Sequence, residues 1–236
     1  MTLLYCGLSD IGLQRSNNED VWAALPEHHF FALADGMGGH NGGEVAAALA
    51  VTSLCDSVRQ ISKEERTEWT LELHQAIQKA NQKIYELSRR ETSLSGMGTT
   101  LCTLLWTPQK IIYAHVGDSR IYRRREGKLE LLTEDHSFYT KWKRLGSETP
   151  YPYKHVITRA VGSTAKVKPT IAYADHRPGD LYLLCTDGLS DMLSLQEIEK
   201  GLKVHSDLFK NAEFLIDSAK QRGGSDNITL LLVQIP

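Results

Sequence analysis

The 236-residue chain lacks the features that mark several classes of protein. Its four cysteines form no Cys-x-x-Cys pair, which argues against a zinc knuckle or a dithiol redox motif. No apolar run reaches the roughly 20 residues of a membrane helix, and no signal sequence opens the chain, so we expect a cytoplasmic protein without membrane association. The 27 basic and 29 acidic residues leave a net charge of −2, which argues against nucleic acid as a partner. No repeat or Pro/Gly/Ser-rich linker divides residues 1–236, so a single domain is predicted.

Three segments carry helix signals. Residues 43–59 are rich in alanine, the strongest helix former. Residues 67–90 place apolar side chains three and four positions apart, as one buried helix face requires. Residues 207–221 end before Gly223 and form the third predicted helix.

The remaining segments are typical of strands, and they are grouped rather than alternating with the helices. Short gaps at Gly117-Asp118 and Glu126-Gly127 predict antiparallel hairpins. The grouping predicts an α+β fold instead of alternating βαβ units. The predicted strands are residues 3–8, 30–34, 99–106, 111–116, 119–124, 129–132, 170–175, 181–185 and 228–235.

Aspartates stand at the ends of four predicted core strands, and three of them lie beside a glycine. A carboxylate at the end of a buried strand is costly unless it is paired or bound to a cation. One such acid is usually a turn former or a helix cap, but four together indicate an all-oxygen site for Mg²⁺ or Mn²⁺. The four residues are Asp35, Asp118, Asp187 and Asp226.

A second acidic group, with one arginine, lies near the N-terminus. Adjacent strand residues point to opposite faces, so we expect one of Glu19 and Asp20 to contact metal and the other to hold a water or support the ligands. Arg15 is the nearest cation in sequence, and its planar guanidinium suits bidentate binding of a phosphate dianion. A surface ion pair is the alternative interpretation of Arg15.

Nine short motifs occur in an order that resembles the metal-dependent protein phosphatases, the type 2C or PPM family, in their bacterial form. The resemblance extends over residues 3–235 and implies two antiparallel sheets packed face to face with helices outside, in agreement with the α+β prediction. The motifs are residues 9–20 (SDIGLQRSNNED), 35–40 (DGMGGH), 43–46 (GEVA), 98–100 (GTT), 116–120 (VGDSR), 132–137 (LTEDHS), 158–162 (TRAVG), 185–191 (CTDGLSD) and 225–229 (SDNIT).

The resemblance implies a role for each matching residue at two tightly bound Mn²⁺ or Mg²⁺ ions. Asp35 is expected to bridge the two ions, and Asp187 and Asp226 to complete the ligands of the first. Glu19 and the backbone carbonyl of Gly36 are expected to hold the second.

Further residues are expected around this pair of ions. Asp20 lies near the second ion, as a ligand or behind one, and Asn227 supports the ligands. Asp118, with Asp187 and Asp191, is expected to bind a third, weaker ion. For Asp191, four residues after Asp187, capping of the helix that begins near Met192 is an equally weighted alternative.

The expected reaction is direct hydrolysis of phosphoserine and phosphothreonine. Two divalent cations lower the pKa of a water that they share, and Arg15 offsets charge on the phosphate oxygens. Catalysis is therefore assigned to Arg15, Asp35 and Asp187. The sequence has no Cys-x₅-Arg loop, so a cysteine nucleophile is excluded.

The chain departs from the family pattern at two places. Met37 follows Asp35-Gly36 where animal members carry a histidine, and His40 three residues later is expected in a supporting or loop role more than as a general acid. The flap, at about 137–157, is short, basic and aromatic. In one interpretation, its basic residues beside Trp142 receive the phosphoprotein. In the other, its aromatic side chains only pack the flap onto the body, and the two interpretations are equally weighted. His136 is expected to be structural.

Two other functions compete with the phosphatase prediction. One is a non-enzymatic regulatory domain of the same fold, which the intact acids and Arg15 argue against. The other is a metal-dependent hydrolase of small phosphoesters or nucleotides, but the chain has no P-loop motif. The expected partners are phosphoproteins, including a eukaryotic-type serine/threonine kinase and its targets, and a monomer is expected.

Overall fold

The computed structural model describes residues 3–38, 42–61, 68–145 and 156–236. Within these ranges the chain forms eleven strands and six α-helices. The strands are β1 (Leu4–Asp10), β2 (Asp20–Leu25), β3 (Phe30–Met37), β4 (Gly98–Thr99), β5 (Leu101–Trp106), β6 (Ile111–Val116), β7 (Arg120–Arg125), β8 (Lys128–Leu131), β9 (Thr170–Ala174), β10 (Leu181–Cys185) and β11 (Ile228–Gln234). The helices are α1 (Gly42–Gln60), α2 (Trp69–Arg90), α3 (Phe138–Arg144), α4 (Asp187–Ser190), α5 (Leu195–Gly201) and α6 (Leu208–Gln221).

The strands form two antiparallel sheets packed face to face. The first sheet has the order β1-β11-β10-β7-β8, and the second has the order β2-β3-β5-β6-β9 with β4 paired to β3. Apolar side chains of both sheets fill the space between them, including Phe31, Leu104, Tyr182 and Leu231. Helices α1 and α2 pack outside the second sheet, and α5 and α6 cover the first. The predicted α+β sandwich is confirmed.

The three predicted helices are confirmed as α1, α2 and α6. Helix α6 begins after Asp207, whose carboxylate accepts the backbone N–H groups of Phe209 (2.7 Å) and Lys210 (3.4 Å) as an N-cap. Helix α2 begins at Trp69, and the start that the sequence predicted lies outside the described residues. None of the helices in the described ranges is long and apolar enough to cross a membrane.

One of the two predicted hairpins is wrong. Strands β7 and β8 do form a hairpin through Glu126-Gly127, with Arg125 opposite Lys128 and positive φ at both turn residues. Strands β6 and β7, however, lie in different sheets, so the chain crosses from one sheet to the other at Gly117-Asp118. The carbonyl of Gly117 accepts the N–H of His136 (2.9 Å), so this turn bonds to a distant loop.

The strand β2 was not predicted from the sequence. Its two alanines have low strand propensity, but the strand pairs along its whole length with β3, from Asp20 opposite Asp35 to Leu25 opposite Phe30. Pairing with a buried neighbour thus overrides local propensity and places two carboxylates opposite each other.

The first half of the predicted flap is helical, as α3, and none of its seven residues is buried. Lys141 lies over the ring of Phe138 (5.2 Å), and Lys143 lies over that of Tyr139 (4.7 Å). Residues 146–155 lie outside the described part of the chain.

Candidate metal centre

The carboxylates of Asp20 and Asp35 meet at one end of the second sheet. Their residues are direct partners in the β2–β3 pair. The backbone of Asp35 is fixed on its other side, because its N–H donates to the hydroxyl of Thr100 (3.0 Å) and its carbonyl accepts the N–H of Thr100 (2.8 Å). Like charges directly opposite in an antiparallel pair are destabilising, so this register needs compensation from elsewhere.

The sheet-to-sheet crossing brings Asp118 to the same end. The hydroxyls of Thr100 and Ser119 hydrogen-bond to each other (2.7 Å), which joins the residue after Asp118 to the strand connection beside Asp35. Gly117 has φ +96°, and a Cβ there would lie 2.8 Å from the methyl of Thr100. A glycine is therefore required for this close approach.

The first sheet contributes Asp187 and Asp226. Asp187 begins α4 directly after Thr186, whose hydroxyl donates to Asp20 (2.9 Å) and so bridges the two sheets. The N–H of Asp191 donates to the carbonyl of Asp187 (2.7 Å), which confirms the predicted helical turn. Asp191 is exposed and is the C-cap residue of α4. The N-cap of the next helix is Ser194, so the N-capping role considered for Asp191 is wrong.

The side chain of Asn227 ties the N-terminal acidic segment to β11. Its Oδ1 accepts the N–H of Glu19 (2.9 Å), and its Nδ2 donates to the carbonyls of Ile11 (2.9 Å) and Asn17 (2.9 Å). Asn227 is buried. It therefore fixes the backbone from which Glu19 and Asp20 extend.

Two glycines allow close packing around Glu19. A Cβ on Gly43 would lie 1.9 Å from Oε2 of Glu19, and a Cβ on Gly36 would lie 2.1 Å from the carbonyl oxygen of Gly43. The N–H of Gly36 donates to the Glu19 carbonyl (3.1 Å). Only glycine fits at these contacts, which hold Glu19 against the end of β3.

Arg15 is paired with Asp226 in this structure. Its Nη2 donates to Oδ2 of Asp226 at 2.7 Å, and the two side chains are 52% and 33% exposed. The residue predicted to bind phosphate and one predicted to bind metal are thus in contact. In this structure Arg15 forms the ion pair of the alternative interpretation. Its guanidinium is nevertheless exposed and therefore accessible to an anion.

Three of the carboxyl groups at this edge have raised pKa values. Burial raises the pKa of Asp20 to about 7, and the charges of Asp187 and Asp226 add to the effect. Burial and the charge of Asp187 raise the pKa of Asp118 to about 7. The pKa of Asp35 is raised well above its usual range by burial and by the charges of the surrounding aspartates. Mutual repulsion of this kind shows that the acids share one region of low dielectric.

The donor set fits divalent cations that prefer oxygen. Oδ1 of Asp20 is buried and accepts no hydrogen bond from the described residues. Within the described ranges, no three His, Cys, Asp or Glu side chains are already grouped as a metal cage. Asp226 instead faces Arg15, and Glu19 accepts a hydrogen bond from Asn17 (3.0 Å), so binding requires side-chain rotation. Hard cations such as Mg²⁺ and Mn²⁺ would relieve the repulsion among these acids.

The structure brings together nearly all of the residues predicted from the sequence. His40 lies outside the described residues. The threonine and serine hydroxyls that fix the acids were not predicted, namely Thr186, Thr100 and Ser119. These residues stood inside the recognised motifs, so a search for hydroxyls next to each predicted ligand would have found them.

Comparison with known proteins identifies the family of this chain. The protein-family model described as protein phosphatase 2C matches residues 13–229 of this chain. The serine/threonine protein phosphatase PstP of Mycobacterium tuberculosis is 36% identical over 241 residues, covering 100% of this chain and 45% of that protein. The serine/threonine phosphatase stp of Listeria monocytogenes is 36% identical over 238 residues, covering 96% of this chain and 93% of the other. The chain therefore spans less than half of PstP and nearly all of stp.

Solved structures share the whole architecture. The S. agalactiae serine/threonine phosphatase matches with a TM-score of 0.93 at 36% identity, covering 99% of this chain and 100% of the other. The catalytic domain of PstP in complex with two manganese ions matches with a TM-score of 0.89 at 37% identity, covering 99% and 98%. The two-sheet sandwich places the chain in the structural class of these solved phosphatases. Within that class, the chain belongs to the protein phosphatase 2C family, which confirms the resemblance.

Proposed function

We propose that this chain hydrolyses phosphoserine and phosphothreonine in proteins, with two Mn²⁺ or Mg²⁺ ions as cofactors, and that residues 1–236 form one catalytic domain. The observation that carries the proposal is the meeting of aspartates from both sheets at one edge, where burial and mutual repulsion raise the pKa values of Asp20, Asp35 and Asp118. Such a group is stable in its ionised form only beside cations. The family relationship supports the phosphatase assignment.

The ligand assignments come from the family resemblance, and the geometry of the two sheets supports them. Asp35 would contact both ions, since its carboxylate interacts with acids of both sheets. Asp187 and Asp226 complete one ion's ligands, and Glu19 with the carbonyl of Gly36 holds the other. The contact between Glu19 and the end of β3 supports this second assignment.

The remaining acids take positions around this pair. Asp20 accepts the Thr186 hydroxyl through Oδ2 and keeps Oδ1 available, as expected for a residue that is a ligand or lies behind one. Asp118, with Asp187 and Asp191, is assigned to a third, weaker ion. The ions, when bound, supply Lewis-acid stabilisation of the phosphate and lower the pKa of a water for attack.

Arg15 positions the phosphate. Its guanidinium cannot serve Asp226 and a phosphate with the same N–H groups, so rotation of Asp226 toward the acidic edge releases Arg15 for the substrate. The freed planar group then donates two parallel hydrogen bonds to phosphate oxygens and offsets their charge.

The substrates and partners follow from the same proposal. We propose that phosphoproteins are the substrates, that a eukaryotic-type serine/threonine kinase and its targets are among them, and that the chain acts as a monomer. The exposed aromatic and basic residues of α3 support contact with a protein substrate, with Phe138 45% exposed.

The test is phosphate release from a phosphothreonine peptide after chelation, with and without added Mn²⁺. We expect release only with the cation, and its near-complete loss in Asp35→Asn and Asp187→Asn. Asp56→Asn is the matched control, since Asp56 is an exposed acid on α1. Full activity in Asp187→Asn, or no release by the unmodified chain, would refute the proposal. Equal rates on small phosphoesters and phosphopeptides would instead indicate a hydrolase of small phosphoesters.

A further inference from the structure

The loop that carries His136 is joined to the Gly117 turn by two reciprocal hydrogen bonds. The N–H of His136 donates to the carbonyl of Gly117 (2.9 Å), and the N–H of Gly117 donates to Nδ1 of His136 (3.2 Å). Gly117 directly precedes Asp118, at the point where the chain crosses between the sheets. The position of the Asp118 backbone therefore depends on His136.

The same histidine holds the base of the flap. Its carbonyl accepts both the N–H (2.6 Å) and the hydroxyl (3.1 Å) of Thr158. The next residue, Ser137, pairs with Ile157 in an isolated antiparallel bridge. The residue His136 is thus joined to the segment where the flap ends, through its carbonyl, and it directly precedes the flap's first residue. Its backbone N–H and its ring join it to the Gly117 turn.

The ring of His136 is held in one orientation. It stacks on His115 with centroids 4.4 Å apart and an interplanar angle of 18°, and its Nε2 lies 2.9 Å from the Thr170 hydroxyl. Arg159 Nη1 lies 2.9 Å from Nε2 and 3.3 Å from the carbonyl of Lys168. Burial, the neighbouring His115 and the charge of Arg159 lower the pKa of His136 to about 3, so the ring is neutral.

A neutral imidazole has one N–H and one acceptor nitrogen. The N–H of Gly117 and Nη1 of Arg159 can both only donate, so the ring can accept from only one of them. We assign Nδ1 as the acceptor and the hydrogen to Nε2, because Arg159 has the Lys168 carbonyl (3.3 Å) as a second acceptor. That tautomer donates to Thr170, and Arg159 donates to Lys168. The contact of Arg159 Nη1 with Nε2 (2.9 Å) is then between two donors, whereas the alternative tautomer would set two N–H groups against each other at Gly117.

We propose that His136 is a positioning residue for Asp118, acting through the bond from Gly117 N–H to its Nδ1, and that it couples the base of the flap to the acidic site. The coupling rests on the proposed function in so far as Asp118 serves as a metal ligand. A shift of the flap base would then displace Asp118, which offers the chain a physical route from protein-substrate contact to metal binding.

Two substitutions separate the two nitrogens of the ring. His136→Asn places an oxygen near the position of Nδ1 and keeps an acceptor for Gly117. His136→Gln reaches the position of Nε2 and removes that acceptor. The matched control is His176→Gln, since His176 is bonded to the Thr107 carbonyl (3.0 Å) beyond the opposite end of β5.

The first measurement is hydrogen exchange of the Gly117 amide in the metal-free chain. We expect exchange in His136→Gln to be faster by about tenfold, the ratio expected for loss of one net hydrogen bond. Exchange should stay near the unmodified rate in His136→Asn and His176→Gln. Equal protection in the Asn and Gln variants would overturn the proposal. If His136→Gln does not fold, Thr170→Val replaces it, since loss of the Nε2 partner should weaken Gly117 protection, and unchanged protection there would equally overturn it.

The second measurement is the Mn²⁺ dependence of phosphopeptide hydrolysis, with kcat and KM separated. We expect His136→Gln to need more Mn²⁺ and to lose kcat at unchanged KM, with activity near the unmodified level in His136→Asn. An identical Mn²⁺ response in both variants would refute the coupling to Asp118. If no chain hydrolyses the peptide, the proposed function fails, and the Gly117 exchange rates still decide whether His136 holds the turn.

Discussion

Replacement of Asn227 by alanine should lower both stability and metal-dependent activity. The substitution removes one acceptor and two donors that join residues 11, 17 and 19 to the start of β11. The Asn227 side chain is buried, so water cannot fully replace these hydrogen bonds.

The magnitude follows from the number of bonds. Three hydrogen bonds at a net value of roughly 1 kcal/mol each give a loss of about 3 kcal/mol in the free energy of unfolding. For a chain of this length, Tm falls by roughly 2–4 °C per kcal/mol, so a decrease of roughly 6–12 °C is expected.

The assay is thermal unfolding by circular dichroism together with a Mn²⁺ titration of phosphatase activity. Asn211→Ala is a closely matched control. Asn211 is also buried, and its side chain also makes three hydrogen bonds, with His205 N, His205 O and Leu202 O. It lies at the N-terminal part of α6, away from the acidic edge.

Both variants should lose similar stability, but only Asn227→Ala should require more Mn²⁺ at a temperature where each chain is folded. The reason is that Asn227 fixes the backbone of Glu19, whereas Asn211 fixes a loop that carries no proposed ligand. An unchanged Tm for Asn227→Ala, or an equal Mn²⁺ shift in both variants, would contradict this reasoning.

Three further outcomes are expected. The pKa values of Asp20 and Asp118 are about 7 in the folded chain and 3.8 ordinarily, so the folded metal-free chain binds more protons than the unfolded chain between these pH values. Its stability should therefore fall as the pH rises from 3.8 to 7. Thermal scans at pH 5 and 7.5 check this, and a higher Tm at pH 7.5 would contradict it. Gly43→Ala should displace Glu19 and weaken Mn²⁺ binding in calorimetry, because the new Cβ would lie 1.9 Å from Oε2; unaltered affinity would exclude that placement. Arg15→Lys keeps the charge but loses the planar group, so KM for a phosphopeptide should rise at unchanged Mn²⁺ affinity, and an unchanged KM would argue against phosphate contact.

Much of the fold could be predicted because its signals are local. The three long helices follow from alanine content, three/four spacing and a glycine just beyond the helix end, all of which act within a few residues. The acids at strand ends were also visible, since each follows or precedes an apolar run. Their order along the chain, with the neighbouring glycines, was enough to indicate the family.

The connection at Gly117-Asp118 could not be predicted in the same way. A short glycine-containing gap between two strands predicts a hairpin. Here β6 pairs instead with β5 and β9, and β7 pairs with β10 and β8. Choice of partner depends on contacts between residues far apart in sequence, which local propensity does not encode.

The sequence by itself determined which residue types form the acidic site and in what order they occur. Tertiary structure alone decided that Asp20 stands opposite Asp35, that the chain crosses between sheets beside Asp118, and that Thr186 bridges the sheets to Asp20. The physical reason is that strand register and sheet membership are set by burial and hydrogen bonding over the whole sandwich. The repulsion that gives these acids their affinity for cations exists only once the two sheets have packed.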